Sequence, residues 1–171
     1  MLNRLSKNTA AFQAVALVLV FCTASSAFAN TWQNVSSIAG GFAVQMPGAP
    51  ERTVKTVDLS GKPTPMYNFL WSTSSESFYV TYSDFPFSTT PAQLLTDVAN
   101  GEAKNNRVLS DTSISVDGRP AKQLVMQNNG QLMVSRIVVD NLRVYQLIYV
   151  TNFAQISPAA STFLNSFRLT R

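Results

Sequence analysis

Residues 123–150 alternate between long apolar stretches and short polar breaks, which predicts three consecutive strands. Asn129-Gly130 is a strong hairpin signal, because a type I′ turn needs two residues that tolerate positive φ. Asp140-Asn141 is a second break of the same kind, weaker because it lacks glycine. Most residues between the breaks are aliphatic or tyrosine, which suit a packed sheet. This meander is the centre of the predicted fold.

Shorter alternating segments lie on the N-terminal side of the meander. They predict strands at residues 42–46, 51–58, 65–72, 76–84 and 107–116. Met46-Pro47-Gly48 ends the first of these, because proline cannot donate to a strand ladder. The charged residues of 51–58 favour the edge of a sheet. Asp117-Gly118 predicts a further hairpin that leads into the meander.

Two segments have helical spacing of apolar residues. The first is predicted to begin with Thr90 as N-cap and Pro91 as first helical residue, and to end near Asn105. The second has Ser157 and Pro158 in the same two roles. The apolar positions are Leu94, Leu95, Val98 and Ala99 in the first helix, and Ala160, Phe163, Leu164 and Phe167 in the second.

The order of these elements predicts the fold class. Hairpin connections require an antiparallel sheet, and the meander strands are apolar on both faces, as in a sheet covered on both sides. The two amphipathic helices are available as covers. We therefore expect an α+β fold, in which one bent antiparallel β-sheet has helices packed on its faces.

The first 29 residues are typical of a targeting signal. Arg4 and Lys7 precede a short apolar run at residues 14–22, and Ala27-Phe28-Ala29 fits the small-x-small cleavage rule. The run is shorter than the ~20 residues of a membrane span. The alternatives are an uncleaved anchor and a lipoprotein at Cys22, which bulky Phe21 disfavours. We expect a signal peptide at 1–29 and a single exported domain at 30–171.

Removal of the signal would change the composition. The chain has 13 Lys and Arg against 9 Asp and Glu, and Arg4 and Lys7 would leave with the signal. The remaining 11 basic residues are scattered, which argues against a nucleic-acid-binding patch. The single cysteine would also be lost, and the chain contains no histidine. Without these residues, Ser-His-Asp and Cys-His catalysis and the usual zinc, copper and haem sites are not expected.

Carboxylates are the remaining candidates for catalysis or for binding a hard cation. Asp117 and Asp140 are predicted to lie in turns, where aspartate is explained by bonds to the backbone. Asp97 and Glu102 share a helix at a spacing that does not bring them together. No Ser-x-x-K spacing and no calcium-loop pattern occurs. We predict no enzyme activity, no catalytic residue, no metal site and no cofactor.

Aromatic residues are dense between Trp32 and Phe87. They are interpreted mainly as core residues of a sheet covered on both faces, and the alternative is a binding face. Phe85, Pro86 and Phe87 are the exception, because they lie in a loop between a strand and a capped helix. We name these three as the candidate partner contact, with inward packing of both rings as the alternative.

The element order resembles that of the PsbP-like superfamily. The resemblance lies in the targeting segment, in FAVQMPGAP, in Tyr-Ser-Asp-Phe-Pro before a helix, in the Asp-Gly hairpin, in RIVVDNLRVYQLIYV and in the final SPAASTFLNSFRL. PsbP is the extrinsic photosystem II protein of the thylakoid lumen, and its relatives are small α/β/α sandwiches. The sequence pattern is most similar to that of uncharacterised exported bacterial members of the superfamily.

This resemblance implies a non-catalytic accessory protein outside the cytoplasm, in the periplasm, secreted, or in a thylakoid lumen. The implied partner is an envelope or thylakoid protein complex, with no nucleic acid and no transmembrane span in the mature chain. Some members bind manganese or calcium through histidine and carboxylates, and this chain has no histidine. The alternative function is a carrier of a small apolar ligand, with a pocket between sheet and helix.

The export hypothesis predicts cleavage after Ala29. Mass spectrometry of the protein expressed in an exporting cell should find Asn30 as the first residue of the mature chain. An intact Met1 in a cytosolic fraction would contradict export, and a full-length chain in the membrane fraction would favour the anchor.

Overall fold

A computed structural model describes residues 32–170, so the expected signal at 1–29 lies outside the described residues. The elements are β1 (Gln33–Ser37), β2 (Phe42–Met46), β3 (Glu51–Leu59), β4 (Lys62–Ser72), β5 (Glu76–Asp84), α1 (Pro91–Ala103), β6 (Arg107–Val116), β7 (Arg119–Asn128), β8 (Gln131–Asp140), β9 (Arg143–Thr151), α2 (Pro158–Ser166) and β10 (Arg168–Leu169). Within residues 32–170, neither helix is long and apolar enough to cross a membrane.

The strands form two antiparallel sheets. The large sheet has the order β3-β4-β5-β9-β8-β7-β6, and the small sheet has the order β1-β2-β10. The sequence predicted one bent sheet, and the division falls at Pro47 and Pro50, between β2 and β3. Neither proline can donate a ladder hydrogen bond, so the chain leaves the small sheet here before it starts the large one. β3 is an edge strand, as its polar composition predicted.

The predicted hairpin turns are present, with one shift. Asn129 and Gly130 have φ of 49° and 81°, as a type I′ turn requires. The third turn begins one residue later than predicted, because Asp140 pairs with Arg143 as the last residue of β8. Asn141 has the positive φ of 57°. The Asp140 carboxylate is buried and accepts hydrogen bonds from Arg119 Nε at 2.7 Å and from Nδ2 of the turn residue Asn141 at 3.4 Å.

The helices pack on opposite faces of the large sheet. Ile137 and Val138 are consecutive in β8 and therefore point to opposite sides. Ile137 belongs to the apolar cluster under α1, and Val138 belongs to the cluster shared with α2 and the small sheet. α1 lies over β7 and β8. The observed architecture is thus two antiparallel sheets with two helices, which agrees with the predicted α+β class but not with the predicted single bent sheet.

The larger core is aromatic and centres on Phe42. Its ring lies 5.3 Å from Phe69, 6.0 Å from Tyr82, 6.2 Å from Tyr145 and 5.8 Å from Phe167, measured between centroids. Strand alternation would place roughly half of the aromatics on each face of a sheet, but the observed register collects most of them on one face. The residues are Tyr67, Phe69, Trp71, Phe78 and Tyr82.

The ends of both helices differ from the predicted ends. α1 stops at Ala103, two residues early, and Phe167 is the C-cap of α2 and not a helical residue. The chain then forms β10, which the sequence did not reveal because two residues carry no periodic pattern. Leu169 of β10 pairs with Phe42 of β2. The C-terminal end of the described chain therefore completes the small sheet.

A polar clamp ties the β1–β2 turn to the large sheet. Arg143 Nη1 donates to the carbonyls of Ala39 and Gly40 at 2.8 and 3.1 Å, and Tyr145 Oη donates to Gly40 O at 2.6 Å. The same guanidinium binds Asp84 through Nε and Nη2, both at 2.6 Å. The β1–β2 turn packs tightly against the aromatic core. A Cβ on Gly40 would therefore lie 2.8 Å from ring carbons of Phe42 and Tyr82.

Replacing Gly40 with alanine should therefore destabilise the protein. The added methyl group has no room between two packed rings, so we expect a loss of about 1–3 kcal/mol in the free energy of unfolding. Urea unfolding of the Gly40→Ala variant measures the loss. The control is Ala39→Ser, which adds one atom to an exposed neighbour in the same turn and should change stability by less than ~0.5 kcal/mol. Equal stability of the two variants would contradict this account of the turn.

Candidate functional site

The candidate contact lies in the loop between β5 and α1, residues 85–90, which we call the β5–α1 loop. Its first residue is held by a hydrogen bond from Phe85 N to Leu142 O at 2.8 Å. Its last residue, Thr90, caps α1 by accepting from Gln93 N at 3.2 Å, with Pro91 in the first turn. The predicted cap of α1 is thus confirmed. Both ends of the loop are fixed by backbone contacts.

The structure brings Phe85, Pro86 and Phe87 together with Lys62, and all three loop residues are half-buried. The Phe85 ring packs against the apolar cluster under α1. Lys62 Nζ lies 4.8 Å from the centroid of the Phe87 ring and donates to Pro86 O at 2.9 Å. Sequence reasoning missed Lys62, because it lies in the β3–β4 hairpin and only the fold brings it to the loop.

A second polar feature lies under the opposite end of α1. Glu102 Oε1 accepts a hydrogen bond from Gln146 Nε2 at 2.5 Å. Glu102 Oε2 and the hydroxyl of Ser135 are buried without a partner in hydrogen-bond geometry. Sequence reasoning also missed this group, although a signal was present. Glu102 follows Val98 by four residues and Ala99 by three, which places it on the apolar stripe of the helix.

Burial raises the pKa of the Glu102 carboxyl above its ordinary value. The Ser135 hydroxyl and the Gln146 amide lie beside the carboxyl and lower its pKa by smaller amounts. The Ser135 hydroxyl lowers the pKa because it can donate to the carboxylate, although the two oxygens lie outside hydrogen-bond geometry in the observed positions. The net effect favours the neutral acid, because a buried charge without a counter-ion is costly.

A row of polar side chains continues from this group across the large sheet. Gln146 is the cross-strand partner of Thr81, and Thr81 is the partner of Asn68, so all three share the face that carries α1. All three are buried. Asn68 Nδ2 donates to Met66 O at 3.3 Å, and its Oδ1 has no partner. A row of buried polar side chains that leaves one oxygen without a partner is unusual in a folded protein.

Other carboxylates are engaged in structural contacts. Asp111 accepts from Lys122 Nζ at 2.7 Å, Asp58 accepts from Gly61 N at 2.7 Å, and Glu76 accepts from Tyr149 Oη at 2.5 Å. Across residues 32–170, no three acidic side chains come together in a group that could hold a metal ion. In these contacts the carboxylates stabilise a strand pair, a hairpin turn and the hydroxyl of a core tyrosine, respectively.

Antiparallel sheets covered by two helices define the class of fold. Among solved structures, the fold is similar to the solution structure of cyanobacterial PsbP (CyanoP) from Synechocystis sp. PCC 6803, with a TM-score of 0.58. The match covers 86% of this chain and 98% of that protein, at 14% sequence identity. The fold is thus PsbP-like. No family model and no curated protein matches the sequence.

The two phenylalanines of the loop should differ in their contribution to stability. Phe85→Ser removes a ring that packs on the α1 cluster, so we expect a loss of roughly 2–4 kcal/mol in the free energy of unfolding. Phe87→Ser removes mainly the contact with the Lys62 ammonium, worth about 0.5–1 kcal/mol at such a site. Urea unfolding of both variants measures the difference. An equal loss in the two would show that both rings belong to the core.

Proposed function

We propose that the chain is a non-catalytic accessory protein outside the cytoplasm, which binds another protein through the β5–α1 loop. The observation that carries this proposal is the contact of Lys62 with both Pro86 O and the Phe87 ring. These two contacts hold a half-buried aromatic residue in one position at the surface. A rigid aromatic side chain is a typical anchor of a protein interface.

The loop is well suited to binding because little of it must be ordered when a partner arrives. Phe85 N is bonded to Leu142 O, Pro86 restricts the backbone, and Thr90 caps the helix. Ordering a flexible loop lowers affinity, so a loop held at both ends avoids most of that loss. Phe85 faces the α1 cluster. We therefore assign the contact to Phe87, with Pro86 and Lys62 as its support.

The class of function is supported by the fold. A PsbP-like fold agrees with an accessory role beside a membrane complex, which is the role that the family resemblance implies. The partner would then be a protein complex of the cell envelope or, in a cyanobacterium, of the thylakoid. The corresponding compartments are the periplasm or the medium, and the thylakoid lumen.

Affinity capture from a detergent extract of the source membranes tests the proposal. The bait is the mature chain, and we expect a stoichiometric protein partner. Phe87→Ser should weaken its capture at least tenfold with little change in stability. The matched control is Phe153→Ser, because Phe153 is 52% exposed and lies after β9, at the opposite end of the sheet.

The capture experiment also separates the alternative functions. Unchanged capture by Phe87→Ser would exclude this loop as the contact. Co-purified lipid or pigment without a protein partner would favour the carrier of a small apolar ligand. Equal loss of capture in Phe87→Ser and Phe153→Ser would contradict a contact limited to the loop.

A further inference from the structure

Glu102 occupies an unusual position for a carboxyl group. It lies in the last turn of α1, where the partial negative charge of the helix C-terminus disfavours a carboxylate. Its carboxyl faces the large sheet and is bonded to Gln146. Its backbone carbonyl accepts from Asn106 Nδ2 at 2.6 Å, which links the helix end to the start of β6. The side chain thus joins the helix end to the centre of the sheet.

No cation is placed to balance a charge on this carboxyl among the described residues. On the face of the sheet under α1, β8 presents Ser135 and Ile137, and β9 presents Gln146 and Ile148. The ionisable groups of this face are Lys122 on β7, which binds Asp111 on β6, Tyr79 on β5, Lys62 on β4, and Glu51 and Lys55 on β3. Asp97 and Lys104 on α1 are exposed. None of these charged groups contributes to the raised pKa of Glu102.

A proton on the carboxyl would let the two unpartnered atoms, Glu102 Oε2 and Ser135 Oγ, pair without burying a charge. A carboxylate can only accept hydrogen bonds, whereas the neutral acid has one O–H donor. Glu102 Oε2 would then donate to the Ser135 oxygen, while Oε1 continues to accept from Gln146 Nε2. Both buried oxygens gain a partner, and no charge is buried. In the ionised form the Ser135 hydroxyl could still donate to the carboxylate, but a charge would then be buried without a counter-ion, which is the costly arrangement.

We propose that the Glu102–Ser135–Gln146 group is a proton-binding site, and that loss of its proton detaches the C-terminal end of α1 from the sheet. The released part would include the last turn of α1 and residues 104–106, which lead into the edge strand β6. The N-terminal end of α1 is held separately by Thr90. The proposal therefore does not depend on the function assigned to the β5–α1 loop.

The direction of the pH dependence follows from the raised pKa of Glu102 in the folded chain. Folding favours the protonated acid, so its contribution is fully present below the pKa of the unfolded chain. The contribution is lost as the pH rises towards the folded pKa. Between these two values the folding equilibrium constant falls up to tenfold per pH unit, which is about 1.4 kcal/mol. Acidification from neutral pH thus tightens this end of the helix.

Replacing Glu102 with glutamine tests the site, because glutamine has the shape and hydrogen-bonding groups of the neutral acid. Urea unfolding of the mature chain from pH 4.5 to 8.5 should show that the folding equilibrium constant of the wild type falls by up to tenfold per pH unit between the unfolded and folded pKa values of Glu102. In Glu102→Gln this component of the decline should be absent, and stability at neutral pH should be equal or higher. The matched control is Asp97→Asn, an exposed carboxylate on the same helix that should keep the wild-type profile.

Two measurements on the unsubstituted chain keep the test independent of any variant. Carbon-13 NMR of the Glu102 Cδ should give a pKa above the ordinary glutamate value. Hydrogen exchange at residues 100–104, corrected for intrinsic rates, should lose protection above that pKa while β8 and β9 keep theirs. A pKa at or below the ordinary value, or an unchanged pH profile in Glu102→Gln, would overturn the proposal. So would a uniform loss of stability in Glu102→Gln at every pH.

Discussion

The contact of Arg143 with Asp84 and with the β1–β2 turn determines how the two sheets fit together. One guanidinium binds the last residue of β5 and two carbonyls of a turn that belongs to the other sheet. The carboxylate of Asp84 raises the pKa of Arg143, so the cation is permanent. Asp84 is 61% exposed, and the pair itself therefore contributes modestly to stability. Its importance is geometric, because it fixes the position of Asp84 at the end of β5, where the β5–α1 loop begins.

Helix α1 joins two regions with different physical properties. Its N-terminal end follows a loop held by backbone bonds and by Lys62, contacts that do not depend on a titratable acid near neutral pH. Its C-terminal end rests on a buried acid without a counter-ion. A surface used for binding gains from being rigid under all conditions, whereas a conditionally attached end can respond to its surroundings. The two ends of α1 differ in this way because Lys62 and backbone bonds hold the first end, whereas the buried Glu102 carboxyl holds the second.

The sequence revealed local structure better than the pairing of distant segments. Asn129-Gly130 and Thr90-Pro91 carry their own conformational preferences, so their turn and helix start could be predicted. β10 could not, because its two residues depend on pairing with β2. The candidate loop was also found from local signals, whereas its contact with Lys62 required the tertiary fold. Glu102 had a visible signal, since a charged residue on an apolar stripe demands an explanation.

The small sheet has a consequence for the time at which the chain can fold. Its strands come from both ends of the described chain, and the hydrogen bond from Gln45 N to Ser166 Oγ spans 121 residues. Contacts between such distant segments form late, because a long loop must close first. Until α2 and β10 have been synthesised, the rings around Phe42 stay partly uncovered. The aromatic core is therefore the part of the molecule that stays in contact with water longest during folding.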